Sequence, residues 1–225
     1  MTSLAAIPLL SLAFAAPQEI SGGVLKLEQA AYDVQFYDIS LKVDPVGKTI
    51  SGVTVMDAKT VIPTASILLD LDDPYSVSKI TDGKNALRFD RLPGMIRVYF
   101  PLSKQPGEPI HTVTTYAGPP HVAKNAPWDG GIMWSKTPSG ADWIAVALQG
   151  AGADLLFPCK DHPSDRPNEA TMRITVPDPL MAVGPGKLEK TERNADKTST
   201  YVWHMPLPIN NYSLVFNAAP YAQVK

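Results

Sequence analysis

The side chains best suited to chemistry in this sequence are a single cysteine and four histidines. One candidate cluster consists of Cys159, Asp161 and His162. These residues are so close in the sequence that they could be imagined as metal ligands or as a Cys-His pair. Such short spacings in a loop bounded by prolines do not present three groups tetrahedrally, and a nucleophilic thiol needs a base that the fold places beside it. We therefore predict a structural turn, in which Asp161 and Asp165 accept hydrogen bonds from backbone amides.

The histidines do not form a known catalytic or metal-binding motif. None lies in an H-E-x-x-H segment, and no two are spaced i, i+4. The sequence has no G-x-S-x-G elbow, P-loop or dinucleotide-binding fingerprint. A single thiol excludes an internal disulfide and a cysteine-ligated structural zinc. We therefore predict neither a catalytic residue nor a metal ligand or cofactor site in this chain.

Three tryptophans are candidates for ligand binding. Trp128, Trp134 and Trp143 could form a platform on which a sugar stacks, because aromatic faces bind the apolar faces of ligands. In a β domain, packing in the core or at an interface is the more common role of such residues. Packing is the favoured interpretation, and a carbohydrate site stays open as the alternative.

Composition and charge exclude some classes of partner. The 225 residues include 20 Lys and Arg against 22 Asp and Glu, which gives no electrostatic basis for binding nucleic acid. No stretch reaches the roughly 18 apolar residues that span a bilayer. Residues 4–16 form an uncharged apolar run that ends in a small-x-small pattern, although no basic residue precedes it. This resembles a secretory signal peptide, so we predict a signal at residues 1–16 and export to the periplasm or beyond.

The rest of the chain predicts many short strands and little helix. Its 22 prolines break helix interiors, and apolar residues alternate with polar ones in segments separated by Gly and Pro turns. The predicted fold is all-β, a twisted, saddle-like β sandwich of many short, mostly antiparallel strands. We expect a leader at residues 17–31 and one domain at residues 32–221. Within it, residues 212–217 are predicted to be a strand, and residues 118–167 a long loop region.

One segment carries a family resemblance. Residues 149–167, QGAGADLLFPCKDHPSDRP, resemble the end of the amino-terminal β domain in the aminopeptidase N family of zinc metallopeptidases, which includes leukotriene hydrolase-like enzymes. Residues 122–131 are similar to a loop of its bacterial secreted members, and residues 208–212 to its closing strands. The resemblance covers residues 32–221 and implies the saddle-like β domain of such an enzyme.

The resemblance also implies a function. In the family, zinc lies in a following catalytic domain, whose H-E-x-x-H motif does not occur in this sequence. The implied partners are therefore that catalytic domain of the same polypeptide, with its zinc, and the amino terminus of a peptide substrate. Gln149 would help to bind the substrate's ammonium group, and Gly150 would let the backbone approach it closely. The alternatives are a stand-alone secreted module that binds carbohydrate or protein, and a scaffold that has lost its catalytic half.

Overall fold

The computed structural model describes residues 23–126 and 128–222. The predicted signal peptide and the first part of the predicted leader lie outside the described residues. The strands are β1 (Tyr32–Asp44), β2 (Thr49–Thr60), β3 (Thr64–Asp70), β4 (Ser76–Thr81), β5 (Phe89–Leu92), β6 (Met95–Lys104), β7 (Pro109–Gly118), β8 (Gly131–Lys136), β9 (Asp142–Ala147), β10 (Glu169–Pro177), β11 (Met181–Val183), β12 (Lys187–Arg193), β13 (Thr198–Met205) and β14 (Asn217–Ala219). Among these described residues, helix is limited to α1 (Leu27–Ala30) and two 3-10 helices, η1 (Ala153–Leu155) and η2 (Asn211–Ser213). No helix in this part of the chain is long and apolar enough to cross a membrane.

The strands form three sheets. The seven-stranded sheet has the order β12-β13-β10-β1-β2-β7-β4, the four-stranded sheet β11-β14-β9-β8, and the three-stranded sheet β3-β6-β5. Strands β1 and β10 pair in parallel, whereas the other pairs within the sheets are antiparallel. The predicted all-β sandwich of mostly antiparallel strands is therefore confirmed.

One hydrophobic cluster joins the three sheets. Ile39 of the seven-stranded sheet, Ile67 of the three-stranded sheet and Ile144 of the four-stranded sheet are all buried in it. The cluster also includes Phe157, whose ring packs edge-on against Tyr37 of β1. Burial of each such side chain stabilises the fold by about 1.5–3 kcal/mol, so the sheets are held by a shared core.

The structure corrects two local predictions. The region at residues 118–167 is more than a loop, because it contains the β8–β9 hairpin, in which Ile144, Ala145 and Val146 are consecutively buried and so lack the period-two signal. The strand predicted at residues 212–217 is wrong. There Leu214 N donates to the Asn211 carbonyl to close η2, and strand pairing begins only at β14.

The segment that carries the family resemblance is anchored to β1 by a buried ion pair. Lys160 Nζ lies 2.7 Å from Asp165 Oδ2, with side chains 6% and 5% exposed. The same ammonium donates to the Tyr32 carbonyl at 2.6 Å, and the same carboxylate accepts from Val34 N at 3.2 Å. Both charges are thereby paired and tied to the first strand, which compensates their removal from water.

The predicted turn is present, since Asp165 N donates to the His162 carbonyl, but Asp161 and Asp165 accept hydrogen bonds from amides outside the turn. Asp161 Oδ1 accepts from Ala153 N at 3.0 Å, and Asp165 accepts from Val34 N, as described above. The amides come from η1 and from β1, so these carboxylates join separate parts of the chain. Cys159 pairs with Asp70, the last residue of β3, through two backbone hydrogen bonds.

Breaking the ion pair should destabilise the domain. Asp165→Asn leaves a buried ammonium without its counter-charge, and we expect the free energy of unfolding to fall by about 3 kcal/mol. Asp196→Asn, which breaks the exposed Lys42–Asp196 pair, is the matched control and should cause little change. Urea denaturation followed by circular dichroism measures both. Equal effects of the two substitutions would show that the buried pair is not a structural anchor.

Candidate functional site

A groove of about 920 Å³ opens beside the connection from β9 to η1. Its lining carries six aspartates and one lysine, Lys26. The aspartates are Asp70, Asp72, Asp73, Asp129, Asp154 and Asp161. The described part of the predicted leader contributes to one wall, since Gln29 of α1 lines the groove and donates to Asp70 Oδ2 at 2.8 Å. The groove is therefore an open, strongly acidic hollow built from several distant parts of the chain.

Of the two predicted substrate-binding residues, Gly150 lines this groove and Gln149 does not. Gln149 follows β9 and is exposed, and its side chain makes no hydrogen bond to another described residue. Gly150 lines both the groove and a smaller hollow of about 140 Å³. The fold thus places Gly150 in the lining of both hollows, whereas the exposed Gln149 lines neither of them.

The turn after β9 needs glycine. Ala151 N and Gly152 N both donate to the Leu148 carbonyl, and Gly150 has a φ of +84°, where side chains are strained. Gly152 has a φ of +119°, and a Cβ there would lie 2.1 Å from Asp154 Oδ1. The local backbone therefore reverses tightly at this point and directs η1 under the groove.

Two groove carboxyls have raised pKa values. Burial raises the pKa of Asp154 to about 8, with further contributions from the charges of Asp161, Asp70 and Asp72. Burial also raises the pKa of Asp70 to about 6, although hydrogen bonds from Asp161 N and Gln29 oppose the shift. Because these groups share one partly dry groove, each ionised aspartate disfavours the ionisation of its neighbours.

The described residues do not fit a zinc site. Across residues 23–126 and 128–222, no group of three or more His, Cys, Asp or Glu side chains is arranged to hold a metal ion. Cys159 is fully buried, and burial raises the pKa of its thiol well above the usual range. A buried thiol of raised pKa is a poor nucleophile and a poor metal ligand, which agrees with its predicted structural role.

The three tryptophans do not share one surface. In the β8–β9 pairing, Trp143 stands opposite Ser135, the residue after Trp134, so the two indoles project from opposite faces of the sheet. Trp128 is 87% exposed and lines the groove. Its loop is fixed by Asp129, whose carboxylate accepts from two backbone amides at 2.6 Å each. The arrangement does not favour a sugar-stacking platform.

Sequence patterns did not indicate most of the residues that line the groove. Asp70 is the last residue of β3, and Asp72 lies just after that strand. Asp154 belongs to η1, and Asp161 lies in the segment after η1. No local spacing joins these pairs. They are brought together by the Asp70–Cys159 backbone pairing and by hydrogen bonds from Asp72 N to the Asp154 carbonyl and from Asp161 N to Asp70 Oδ2. Only the resemblance had indicated Gln149 and Gly150.

The fold resembles that of known zinc metallopeptidases. A mutant M1 zinc metallopeptidase from Deinococcus radiodurans matches with a TM-score of 0.71 and 26% identity over 84% of this chain. The same mutant bound to a Tyr-Ser-Ala substrate matches with a TM-score of 0.70, and a two-domain M1 zinc metallopeptidase bound to L-tryptophan with 0.69, both at 26% identity and 84% coverage. No protein-family model matches the chain, and no curated protein matches it by sequence.

These likenesses confirm the resemblance predicted from the sequence. The chain corresponds to a β domain of the M1 zinc metallopeptidases, consistent with the amino-terminal domain of that family. It spans only 42% of the length of the structures that it matches. The remaining part of those proteins therefore has no counterpart among the residues of this chain.

The groove should make stability depend on pH. The Asp154 carboxyl ionises near its ordinary pKa of 3.8 when unfolded, whereas in the folded state its pKa of about 8 keeps it protonated to about that pH. The folded state therefore binds more protons between these values, so its stability should fall as the pH rises through this window. In urea denaturation, Asp154→Asn should stabilise the protein at about pH 9 and change little at about pH 4.

Asp142→Asn is the control for this prediction. Asp142 carries an exposed ion pair to Lys136 and does not line the groove. The control should keep the pH dependence of the unsubstituted chain. If Asp154→Asn also keeps it, the Asp154 carboxyl does not hold a proton in the folded state at neutral pH.

Proposed function

We propose that this chain is the amino-terminal β domain of an exported zinc aminopeptidase. In this proposal it forms one wall of the active-site cleft and helps to bind the amino terminus of the peptide substrate. The observation that carries the proposal is the likeness to M1 zinc metallopeptidases over 84% of this chain but only 42% of theirs. One of these relatives is described as a two-domain protein, which supports a single domain here.

The acidic groove supports a role in binding an ammonium group. With Asp154 protonated near neutral pH, the other five aspartates still outnumber the one lysine and give the hollow a negative potential that attracts cations. The exposed amide of Gln149 can accept a hydrogen bond from an ammonium group, and Gly150 has no side chain to block a ligand's approach. A peptide amino terminus carries such a group, so the wall of the cleft fits the expected end of the substrate.

In this proposal the chain binds and orients the substrate and does not perform the cleavage. Zinc bound by the other domain would supply an activated water for hydrolysis of the first peptide bond. The dipole of the Gln149 side-chain amide would hold the ammonium group, so that the first peptide bond lies in a fixed position relative to the zinc-bound water. Export of the protein is part of the proposal and depends on the signal-like residues 4–16.

A stand-alone binding module is the second candidate, and Trp128 is the observation that favours it. A tryptophan with 87% exposure on a loop held by hydrogen bonds is common at surfaces that bind partners. Trp128 would be equally exposed in this chain by itself if another domain of the full-length enzyme covered the groove. The reading frame beyond the codon for Lys225 separates the two, since an H-E-x-x-H segment there supports the enzyme.

We expect the purified 225-residue chain to have no aminopeptidase activity. It should release no nitroaniline from an aminoacyl-nitroanilide, with or without added zinc, because the described residues provide no metal-binding cluster. A two-domain M1 metallopeptidase assayed in parallel is the positive control. Turnover that a chelator abolishes and zinc restores would contradict the division of roles proposed here.

In the full-length enzyme, Gln149→Ala should weaken substrate binding. Loss of a hydrogen bond to a charged group should raise KM for an aminoacyl-nitroanilide by about tenfold or more, with a smaller effect on kcat. Gln149→Glu keeps an acceptor and should preserve binding. Gln105→Ala removes a glutamine side chain from the turn after β6 and is the matched control. A KM unchanged by Gln149→Ala would remove Gln149 from the substrate site.

A further inference from the structure

Two buried tyrosines hold η1 from below by hydrogen bonds to consecutive carbonyls. The Tyr75 hydroxyl donates to the Leu155 carbonyl at 3.1 Å, and the Tyr116 hydroxyl donates to the Leu156 carbonyl at 3.0 Å. Both leucines are buried, and a buried carbonyl without a partner costs about as much as a lost hydrogen bond. The position of η1 is therefore set by these two hydroxyl donors as well as by apolar packing.

The ring of Tyr116 is fixed by the residues packed against it. It meets the ring of Tyr75 edge-on, with centroids 5.4 Å apart and an angle of 84° between the ring planes. On its other side, Gly52 of β2 is its cross-strand neighbour, and a Cβ at Gly52 would lie 2.5 Å from Tyr116 Cζ. Only glycine leaves room for the ring at this position, so close packing against the backbone of β2 determines where the hydroxyl points.

Tyr75 is fixed by the turn in which it lies. Tyr75 N donates to the Asp72 carbonyl at 3.2 Å, and Asp72 N donates to the Asp154 carbonyl at 3.1 Å. Gly118, at the end of β7, touches the same turn, since a Cβ there would lie 2.4 Å from the Pro74 carbonyl oxygen. The turn and β7 are therefore in close contact, which holds the two hydroxyl donors beside η1.

A short turn with two fixed ends joins η1 to Gln149. Leu148 is buried before the turn, and its carbonyl accepts hydrogen bonds from Ala151 N and Gly152 N. The residue after Gly152 is Ala153, with which η1 begins. A short connection between two fixed ends has few accessible conformations, so a shift of η1 would displace the backbone at Gln149.

We propose that Tyr75 and Tyr116 are positioning residues for substrate binding, whose hydroxyls hold η1 and thereby place the Gln149 amide for the ammonium group of a peptide. The inference rests on the proposed function, because it concerns the same ammonium site. Neither tyrosine lines the groove formed by the described residues, so each acts through the backbone. Burial raises the pKa of both hydroxyls above the usual range, which keeps them protonated and able to donate.

Nuclear magnetic resonance of the labelled 225-residue chain tests whether the hydroxyls hold the turn. Tyr75→Phe and Tyr116→Phe keep each ring and remove only the hydroxyl. We expect each substitution to shift the Gly150 and Gly152 amide signals. Hydrogen exchange of the Gly152 amide should become about threefold to tenfold faster, because one hydrogen bond that holds the far end of the turn is lost.

Tyr201→Phe is the matched control. That buried hydroxyl also donates to a backbone carbonyl, but the acceptor is Leu180, which lies outside η1 and the turn. The control should leave the Gly150 and Gly152 amides unchanged. Well-dispersed amide spectra establish that each variant is folded.

Kinetics of the full-length enzyme test whether the turn acts on the substrate. Each of the two substitutions, Tyr75→Phe and Tyr116→Phe, should raise KM for an aminoacyl-nitroanilide about threefold, with a smaller effect on kcat. The increase should disappear in the Gln149→Ala background, because the turn then has no amide to misplace. A general loss of stability would not be cancelled by Gln149→Ala, so the double substitution separates positioning from a merely structural effect.

The outcomes separate this inference from the proposed function. Unchanged Gly150 and Gly152 amides in both tyrosine variants would overturn the inference, and so would a rise in KM that persists in the Gln149→Ala background. In either case, a KM raised by Gln149→Ala alone keeps the proposed function. If the tyrosine variants disturb the turn but Gln149→Ala leaves KM unchanged, the proposed role of Gln149 fails, and the tyrosines hold the turn without acting on the substrate.

Discussion

The buried ion pair between Lys160 and Asp165 is the constraint on which the placement of the site depends. A buried ammonium and carboxylate are tolerated only when paired and hydrogen-bonded, and here both are bonded to the backbone of β1 as well. This requirement fixes the segment after η1 against the first strand. The two backbone bonds between Cys159 and Asp70 then fix the same segment against β3. Both hollows lie beside this doubly attached segment.

The same attachment explains the unusual electrostatics of the groove. By joining β3 to the segment after η1, the fold brings Asp70 and Asp161 close enough for a hydrogen bond from Asp161 N to Asp70 Oδ2. Packed this closely and partly buried, the aspartates cannot all ionise at low cost, so the pKa of Asp154 rises. Perturbed carboxyls that share one hollow mark it as a candidate functional site.

The sequence was informative where a strand has one buried face and one exposed face. Alternation of apolar and polar residues located β1 because Ile39 and Leu41 are buried between less buried neighbours. It did not locate β9, where three consecutive residues are buried, and it mistook η2 for a strand because Leu214 and Phe216 are buried in alternation without pairing. Gln149 was found only through the family resemblance. The groove aspartates could not be found because long-range pairing brings them together.

The proposed division between binding and chemistry rests on the same geometry. The described residues provide carboxylates and an exposed amide, but no cluster able to hold a metal. Such a set can discriminate among ligands through hydrogen bonds, since a ligand that lacks the matching group leaves a polar atom unpaired. A domain of this kind influences a reaction by fixing where the substrate lies relative to groups on another domain. In the proposed function, the contribution of this domain to catalysis depends on how rigidly the segment from Gln149 to Asp165 is held, and the buried Lys160–Asp165 ion pair holds the end of that segment.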